Sequence, residues 1–165
     1  MIAAALLAAG CGAQTSASAP SVTVGDASRV DMCTILTDAE LAGLGLDPAS
    51  RKHDDRLGEV GCRWVGHPFT LDLERGKDTV TQYQARRDDP AFTSFANNTV
   101  NGRGGVRFSV RSDRSDCAQL VDGGPVGLVV SVAQSGSYTG PPINPCAEAM
   151  RIAQMIEPRL PKAGS

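Results

Sequence analysis

The sequence predicts a single α+β domain, with helices packed on one face of a curved antiparallel sheet of about five strands. Three observations carry this prediction. Short stretches alternate between apolar and polar residues, turns rich in glycine and proline join them closely, and three segments carry helix-capping signals. Strands joined by short turns pair antiparallel, because parallel neighbours need a long crossover.

Length and charge limit the function classes. The chain has 165 residues and a formal net charge of −2. This length suits one domain, and the near-neutral charge argues against nucleic acid as a partner, because phosphate backbones are bound by basic surfaces. No run of about 20 apolar residues is present, so no transmembrane helix is expected. We expect a monomer.

The first predicted helix begins at a capping box. Thr37 is placed to accept from the backbone of Glu40, whose side chain reaches back to Thr37. The helix is expected over residues 38–42, with Gly43 or Gly45 ending it.

A polar loop and two strands follow. Residues 47–60 are predicted as a loop and residues 61–65 as a strand. Trp64 is expected in the core beside the cysteine two positions before it, because residues two apart on a strand share a face. After a turn at 66–68, apolar and polar residues alternate over 69–74, which indicates a half-buried strand.

The middle of the chain contains one helix and one strand. Thr79 and Gln82 form a second capping box that opens a helix over 79–87. The glycine-rich residues 101–105 are predicted as a turn or bulge. Residues 106–111 alternate again and predict an amphipathic strand.

Two strands and a helix complete the domain. Residues 117–121 and 126–133 are predicted strands, and the second is continuously apolar, as is typical of a central strand. Asn144 and Pro145 are an N-cap and first-turn pair. The helix that they open carries one apolar stripe and is limited by Pro158.

The N-terminus predicts export. Residues 1–10 are apolar or small and are interpreted as a signal peptide, although a basic start is missing. The small residues before Cys11 resemble a bacterial lipobox, which implies a diacylglycerol on the Cys11 sulfur and a stable hold on the membrane. Residues 11–30, rich in Ser, Thr and Ala, are predicted as the anchor site and a disordered tether. Residues 31–165 are then the extracytoplasmic domain.

Four cysteines remain for disulfides. They allow three connectivities. Cys33 and Cys62 are 29 positions apart, as are Cys117 and Cys146, and we favour these two pairs. No two cysteines are near neighbours, which argues against a zinc site, so neither a metal nor a cofactor is expected.

The landmarks occur in a familiar order. They are the leader with Cys11, the tether, the segment from Cys33 to Thr37, the Cys62-Arg63-Trp64 triplet, Cys117 before an apolar strand, and the segment from Cys146 to Ala149. Together they resemble a family of secreted actinobacterial lipoproteins catalogued as a domain of unknown function. The resemblance implies extracytoplasmic exposure and paired disulfides, but neither an activity nor catalytic residues.

Candidate catalytic groups are few. His53 and His67 lie in a charged loop and a turn, away from any nucleophile motif, and are interpreted as surface residues. His53 with its aspartate neighbours is a weak candidate cation site. Asp72 and Glu74 share a strand face that we expect to be solvated, and sequence alone does not show whether they converge with another carboxylate.

A basic stripe is the candidate contact surface. Arg103, Arg107 and Arg111, with Arg114 nearby, lie within one short segment. They are candidates to contact anionic envelope polymers or lipid headgroups. The alternative is an ordinary solvated face paired with nearby aspartates.

These observations favour a lipid-anchored, non-catalytic binding or interaction module on the outer face of the cell membrane. The partner is an envelope polymer, lipid or protein. A lipid carrier or chaperone-like protein and a carboxylate-dependent envelope hydrolase are the two alternatives. A deep apolar cavity favours the carrier, and two close buried carboxylates in a cleft favour the hydrolase.

Overall fold

The computed structural model describes residues 23–55 and 58–162, in which seven antiparallel strands form one open sheet. The strands are β1 (Lys52–Asp54), β2 (Val60–Trp64), β3 (Phe69–Arg75), β4 (Ser94–Val100), β5 (Arg103–Ser109), β6 (Asp116–Asp122) and β7 (Gly127–Gln134). Their order in space is β1-β2-β3-β7-β6-β5-β4. The helices are α1 (Asp38–Gly43), α2 (Val80–Ala85) and α3 (Pro145–Ile156), with 3-10 turns at Pro48–Ser50 and Glu157–Arg159.

The α+β class is confirmed, but the sheet has seven strands rather than five. The two additional strands, β1 and β4, lie at the two edges, and most of their residues are polar. A two-residue turn joins β4 to β5, with φ of 50° at Asn101 and 87° at Gly102. Positive φ at both positions matches the right-handed twist of a hairpin. The predicted turn at 101–105 is therefore shorter, and its last three residues belong to β5.

Helices cover both faces of the sheet, so the expectation of one covered face is wrong. Side chains alternate between faces along a strand. On β6, Cys117 and Val121 face α3, whereas Ala118 and Leu120 face α2. α1 packs on the α3 side through the fully buried Leu41.

Each covered face has its own core. The larger cluster lies under α1 and α3 and includes Trp64, Phe69, Leu71, Ile152 and Ile156. Trp64 is completely buried in the same cluster as Cys33 and Cys62, as predicted. The smaller cluster lies under α2 and includes Val80, Val106, Ala118, Leu120 and Val129, with Tyr83 and Phe108 packed against it.

The predicted helix caps are confirmed. Thr37 accepts from the backbone N–H of Glu40 at 3.2 Å, and Glu40 accepts from that of Thr37 at 2.8 Å. Thr79 and Gln82 make the same reciprocal pair at α2. The Asn144 side chain accepts from the third residue of α3. Local side-chain bonds therefore determine where all three helices begin.

The last part of the predicted tether packs on the domain. Val24 forms a bridge with Lys162, and Ala27 is completely buried, with its N–H donating to the Gly123 carbonyl at 2.9 Å. Within the described residues, packing on the domain therefore includes Val24 and Ala27 of the predicted tether. The predicted signal peptide, Cys11 and the first part of the tether lie outside the described residues. Among the described helices, none is long and apolar enough to cross a membrane.

Arg103 is a structural residue, which corrects its assignment to a contact surface. Its side chain is fully buried and pairs with Glu157 at 3.1 Å (Nε to Oε1). The remaining guanidinium nitrogens donate to the carbonyls of Asp122 and Pro161, each at 3.0 Å. Because its position on β5 faces the end of α3, Arg103 fastens the C-terminal segment to the sheet.

Replacing Arg103 by Met should destabilise the fold by about 3–5 kcal/mol, because the Glu157 carboxylate is left buried without a partner of opposite charge. Urea unfolding measures the change. Adding Glu157→Leu should recover part of the loss. The control is Arg151→Met, which breaks an exposed pair with Glu148 and should cost less than about 1 kcal/mol. Equal losses in the two single variants would contradict the assignment.

Candidate functional site

An open cleft of about 650 Å³ lies between the first turn of α3 and the sheet edge formed by β4 and β5. We call it the basic cleft. The sheet side is lined by Ser94, Arg107, Ser109, Arg114 and Asp116, and the helix side by residues 143–147 and Met150. The cleft therefore combines two arginines and two hydroxyl groups with an apolar wall.

Arg107 enters the basic cleft because of its position on β5. Alternation along the strand places it on the same face as Arg103 and Ser109, the face that α3 covers. α3 covers Arg103 near its C-terminal end but leaves Arg107 exposed at the other end. The Arg107 guanidinium makes no hydrogen bond or ion pair with any residue that the structure describes.

Arg114 reaches the basic cleft from the turn between β5 and β6. Its backbone is left-handed, with φ of 58°, a conformation that is uncommon for residues other than glycine. Next to it, hydrogen bonds from the backbone and hydroxyl of Ser115 lower the pKa of Asp113. Within the described part of the chain, the Arg114 guanidinium also has no hydrogen-bonding or charged partner.

The one carboxylate among the residues that line the basic cleft has other partners. Asp116 is buried and accepts the backbone N–H groups of Val110 and Arg111 at 3.1 and 3.0 Å. Its backbone carbonyl accepts the Ser109 hydroxyl at 2.9 Å. These bonds satisfy the hydrogen-bonding groups of Asp116, and its carboxylate forms no ion pair with Arg107 or Arg114.

A disulfide forms part of the opposite wall. Cys117 on β6 is bonded to Cys146 in the first turn of α3, with an S–S distance of 2.09 Å, which confirms this predicted pair. Ile143 and Met150 supply the apolar part of the wall. The disulfide holds the start of α3 against the sheet, so the width of the basic cleft is constrained covalently.

The basic cleft has the chemistry of an anion site. Guanidinium groups offer several N–H donors in a planar fork that matches phosphate and carboxylate oxygens. Of the three predicted contact arginines, only Arg107 lines the cleft, since Arg103 is buried and Arg111 is exposed outside it. Arg114 belongs to the same basic segment of sequence, but only the turn geometry shows that it joins Arg107.

The open part of the other sheet face carries carboxylates. Asp72 is buried rather than solvated and accepts two bonds from Arg63, at 2.6 Å from Nε and 3.1 Å from the terminal nitrogen. Burial raises the pKa of Glu74 to about 7, and the charges of Glu59 and Asp72 add to this effect. The expectation that Asp72 and Glu74 lie on a fully solvated face is therefore wrong.

A second, smaller cleft of about 300 Å³ adjoins the other disulfide. Cys33 and Cys62 are bonded at 2.07 Å, which confirms the second predicted pair. His53 lies beside them, with its Nδ1 3.5 Å from the Cys33 sulfur and 3.6 Å from the Cys62 sulfur. His67 lies elsewhere, in the turn before β3. The sequence did not predict the contact of His53 with the disulfide, because this contact depends on the pairing of β1 with β2.

The described residues define a small α+β domain with two disulfides and an open cleft, whose two arginines have no partner within that part of the chain. The chain belongs to the family described as "Protein of unknown function (DUF3558)", whose model matches residues 6–159. No curated protein and no solved structure matches the chain significantly. The match includes residues 6–10 before Cys11 and all four disulfide cysteines.

Glu74→Gln should stabilise the protein at pH 8 by about 2 kcal/mol, which allows for solvent screening of this partly exposed carboxyl, and should have little effect at pH 4. The folded pKa of about 7 lies above the ordinary value of 4.5, so the folded state holds a proton that the unfolded state releases. Stability is therefore lost as the pH rises from about 4.5 to 7. Urea unfolding across this pH range measures the free energy of unfolding, and the surface variant Glu148→Gln is the control. An unchanged pH slope in Glu74→Gln would contradict the assignment.

Proposed function

We propose that this protein is a non-catalytic binding module, anchored by lipid on Cys11 at the outer face of the cell membrane, that binds phosphate-bearing envelope molecules in the basic cleft. The observation that carries the binding function is the pair of exposed guanidinium groups, Arg107 and Arg114, which have no partners among the described residues. Two such cations in a concave site favour an anionic ligand.

Three features support the anchor and the location. Small residues precede Cys11 after an apolar leader, in the lipobox-like pattern. The family match extends through this segment. The two disulfides favour an oxidising compartment outside the cytoplasm, because disulfides form and persist there. The actinobacterial origin implied by the sequence resemblance belongs to the same proposal.

The form of the cleft favours a phosphate attached to an apolar or polymeric group. The two arginines and the Ser94 hydroxyl offer polar contacts, while Ile143 and Met150 form an apolar wall on the helix side. Phosphate oxygens are well matched by arginine forks. A phospholipid headgroup and a poly(glycerol phosphate) chain present the same chemistry, so the experiment below separates the two sources.

The described core supports this function over the two alternatives. Side chains of the larger cluster fill the space between the sheet and α3, where a lipid carrier needs a deep apolar cavity. Asp72 is engaged by Arg63, whereas a carboxylate-dependent hydrolase needs a pair of carboxylates free to act on a substrate.

Cys11→Ala should release the protein from the membrane into the medium. The thioether-linked lipid requires the cysteine sulfur, and two acyl chains supply the stable anchoring. Cell fractionation followed by immunoblotting measures the distribution, with Cys11→Ala compared against Ser16→Ala in the neighbouring segment. Persistence of the Cys11→Ala variant in the membrane fraction would refute the anchor.

Arg107→Gln and Arg114→Gly should each weaken phosphate binding about tenfold, because each removes a charge-assisted contact. Glycine also relieves the left-handed backbone at position 114, so its loss of binding is not explained by unfolding. The measurements, on the Cys11→Ala protein, are flotation with phosphatidylglycerol or phosphatidylcholine vesicles and calorimetry with soluble poly(glycerol phosphate).

The control for charge is Arg87→Gln, which removes an exposed arginine after α2 and should leave binding unchanged. Selective flotation with phosphatidylglycerol identifies a headgroup, and binding of the soluble polymer identifies a polymer. Equal weakening by all three substitutions would indicate non-specific charge attraction and would refute the cleft as the site.

A further inference from the structure

One disulfide lies in direct contact with a histidine. β1 pairs with β2 so that His53 is directly opposite Cys62, which places their side chains on the same face. Cys33 approaches from the segment before α1 and bonds to Cys62. The sulfur atoms of Cys33 and Cys62 and one ring nitrogen of His53 lie within 4.8 Å of one another, and among the described residues this is the one such group of three metal-ligating side chains. We call it the Cys–His cluster.

The nitrogen–sulfur distances in the Cys–His cluster match those between ligands of a tetrahedral zinc ion. Zn–S and Zn–N bonds of about 2.3 and 2.05 Å at the tetrahedral angle place nitrogen and sulfur about 3.6 Å apart. His53 Nδ1 is 3.5 Å from one sulfur and 3.6 Å from the other. The two sulfurs must separate, because two sulfur ligands of a tetrahedral zinc ion lie about 3.8 Å apart, whereas the disulfide holds them at 2.07 Å.

We propose that reduction of the Cys33–Cys62 disulfide converts the Cys–His cluster into a zinc site. A dithiol reductant transfers two electrons and two protons, which breaks the S–S bond, forms two thiols and leaves the reductant as a disulfide. Zn²⁺ then binds both sulfurs and the neutral His53 imidazole, and the two thiol protons are released to solvent. Three protein ligands leave the fourth zinc position to water.

The surroundings of the cluster favour this conversion. The second cleft reaches Cys33 and His53, and the His53 side chain is exposed, so the cluster has an entry path for a cation. Arg29 and Arg75 line the same cleft, and nearby positive charge favours the thiolate form of a cysteine. Two thiolates neutralise the charge of Zn²⁺.

The other disulfide provides an internal comparison. Cys117 and Cys146 belong to no group of three ligating side chains among the described residues. Replacing both by Ser therefore leaves a chain in which a dithiol opens only the Cys33–Cys62 bond. In this background and in the wild-type chain, zinc is measured by equilibrium dialysis after anaerobic removal of the reductant. Co²⁺ substitution reports thiolate ligation by its charge-transfer absorption.

The expected result is one Zn²⁺ per reduced chain, in both backgrounds, and none per oxidised chain. His53→Ala should weaken zinc binding at least about tenfold, because it removes one of three ligands, while His67→Ala should leave it unchanged. If reduction loosens the fold, zinc should restore the circular dichroism of the native protein.

Four outcomes would overturn the proposal. They are equal zinc uptake by the oxidised and reduced chains, undiminished affinity in His53→Ala, retention of zinc in Cys33→Ser with Cys62→Ser, and a reduced chain that zinc does not refold. None of these readouts depends on the basic cleft, so the zinc site is tested independently of the phosphate-binding function.

Discussion

The α3 helix is held to the sheet at both of its ends, and the arrangement of the domain depends on this constraint. At its start, Cys146 is bonded to Cys117 on β6. At its end, Glu157 pairs with the buried Arg103 on β5. Ile152 packs into the larger core between these points. Because α3 is attached to β6 at one end and to β5 at the other, the sheet edge remains uncovered beside its first turn, and the basic cleft lies there.

The two faces of the sheet separate opposite charges. Beside the basic cleft, Asp116 accepts two backbone N–H groups and forms no ion pair with Arg107 or Arg114. On the opposite face, Glu74 lies near other carboxylates and its pKa is raised to about 7. The net charge of −2 is a sum over the whole chain. The charge of each face differs from it, so it does not predict which ligands either face attracts.

The two disulfides close loops of equal sequence separation but have different surroundings. Each closes a loop for which the chain-entropy model gives a stabilisation of about 3–4 kcal/mol. Cys117–Cys146 fastens a helix to a central strand, whereas Cys33–Cys62 fastens an N-terminal segment to a strand near the sheet edge, beside the exposed His53. Equal spacing in the sequence thus conceals a difference in chemistry that arises from one strand pairing.

The sequence by itself determined the features that depend on near neighbours. Capping boxes, alternating strands and the equal cysteine spacing predicted the helix starts, five strands and both disulfides, because each depends on local hydrogen bonding, side-chain alternation or loop length. The tertiary structure decided the rest. β1 and β4 show no clear apolar alternation, and their places at the two sheet edges follow from backbone pairing with β2 and β5. Arg103 and Arg107 lie four positions apart on one face, and only the position of α3 makes one a buried ion-pair partner and the other an exposed candidate ligand. Periodicity specifies the face of a strand, but burial depends on what packs against it.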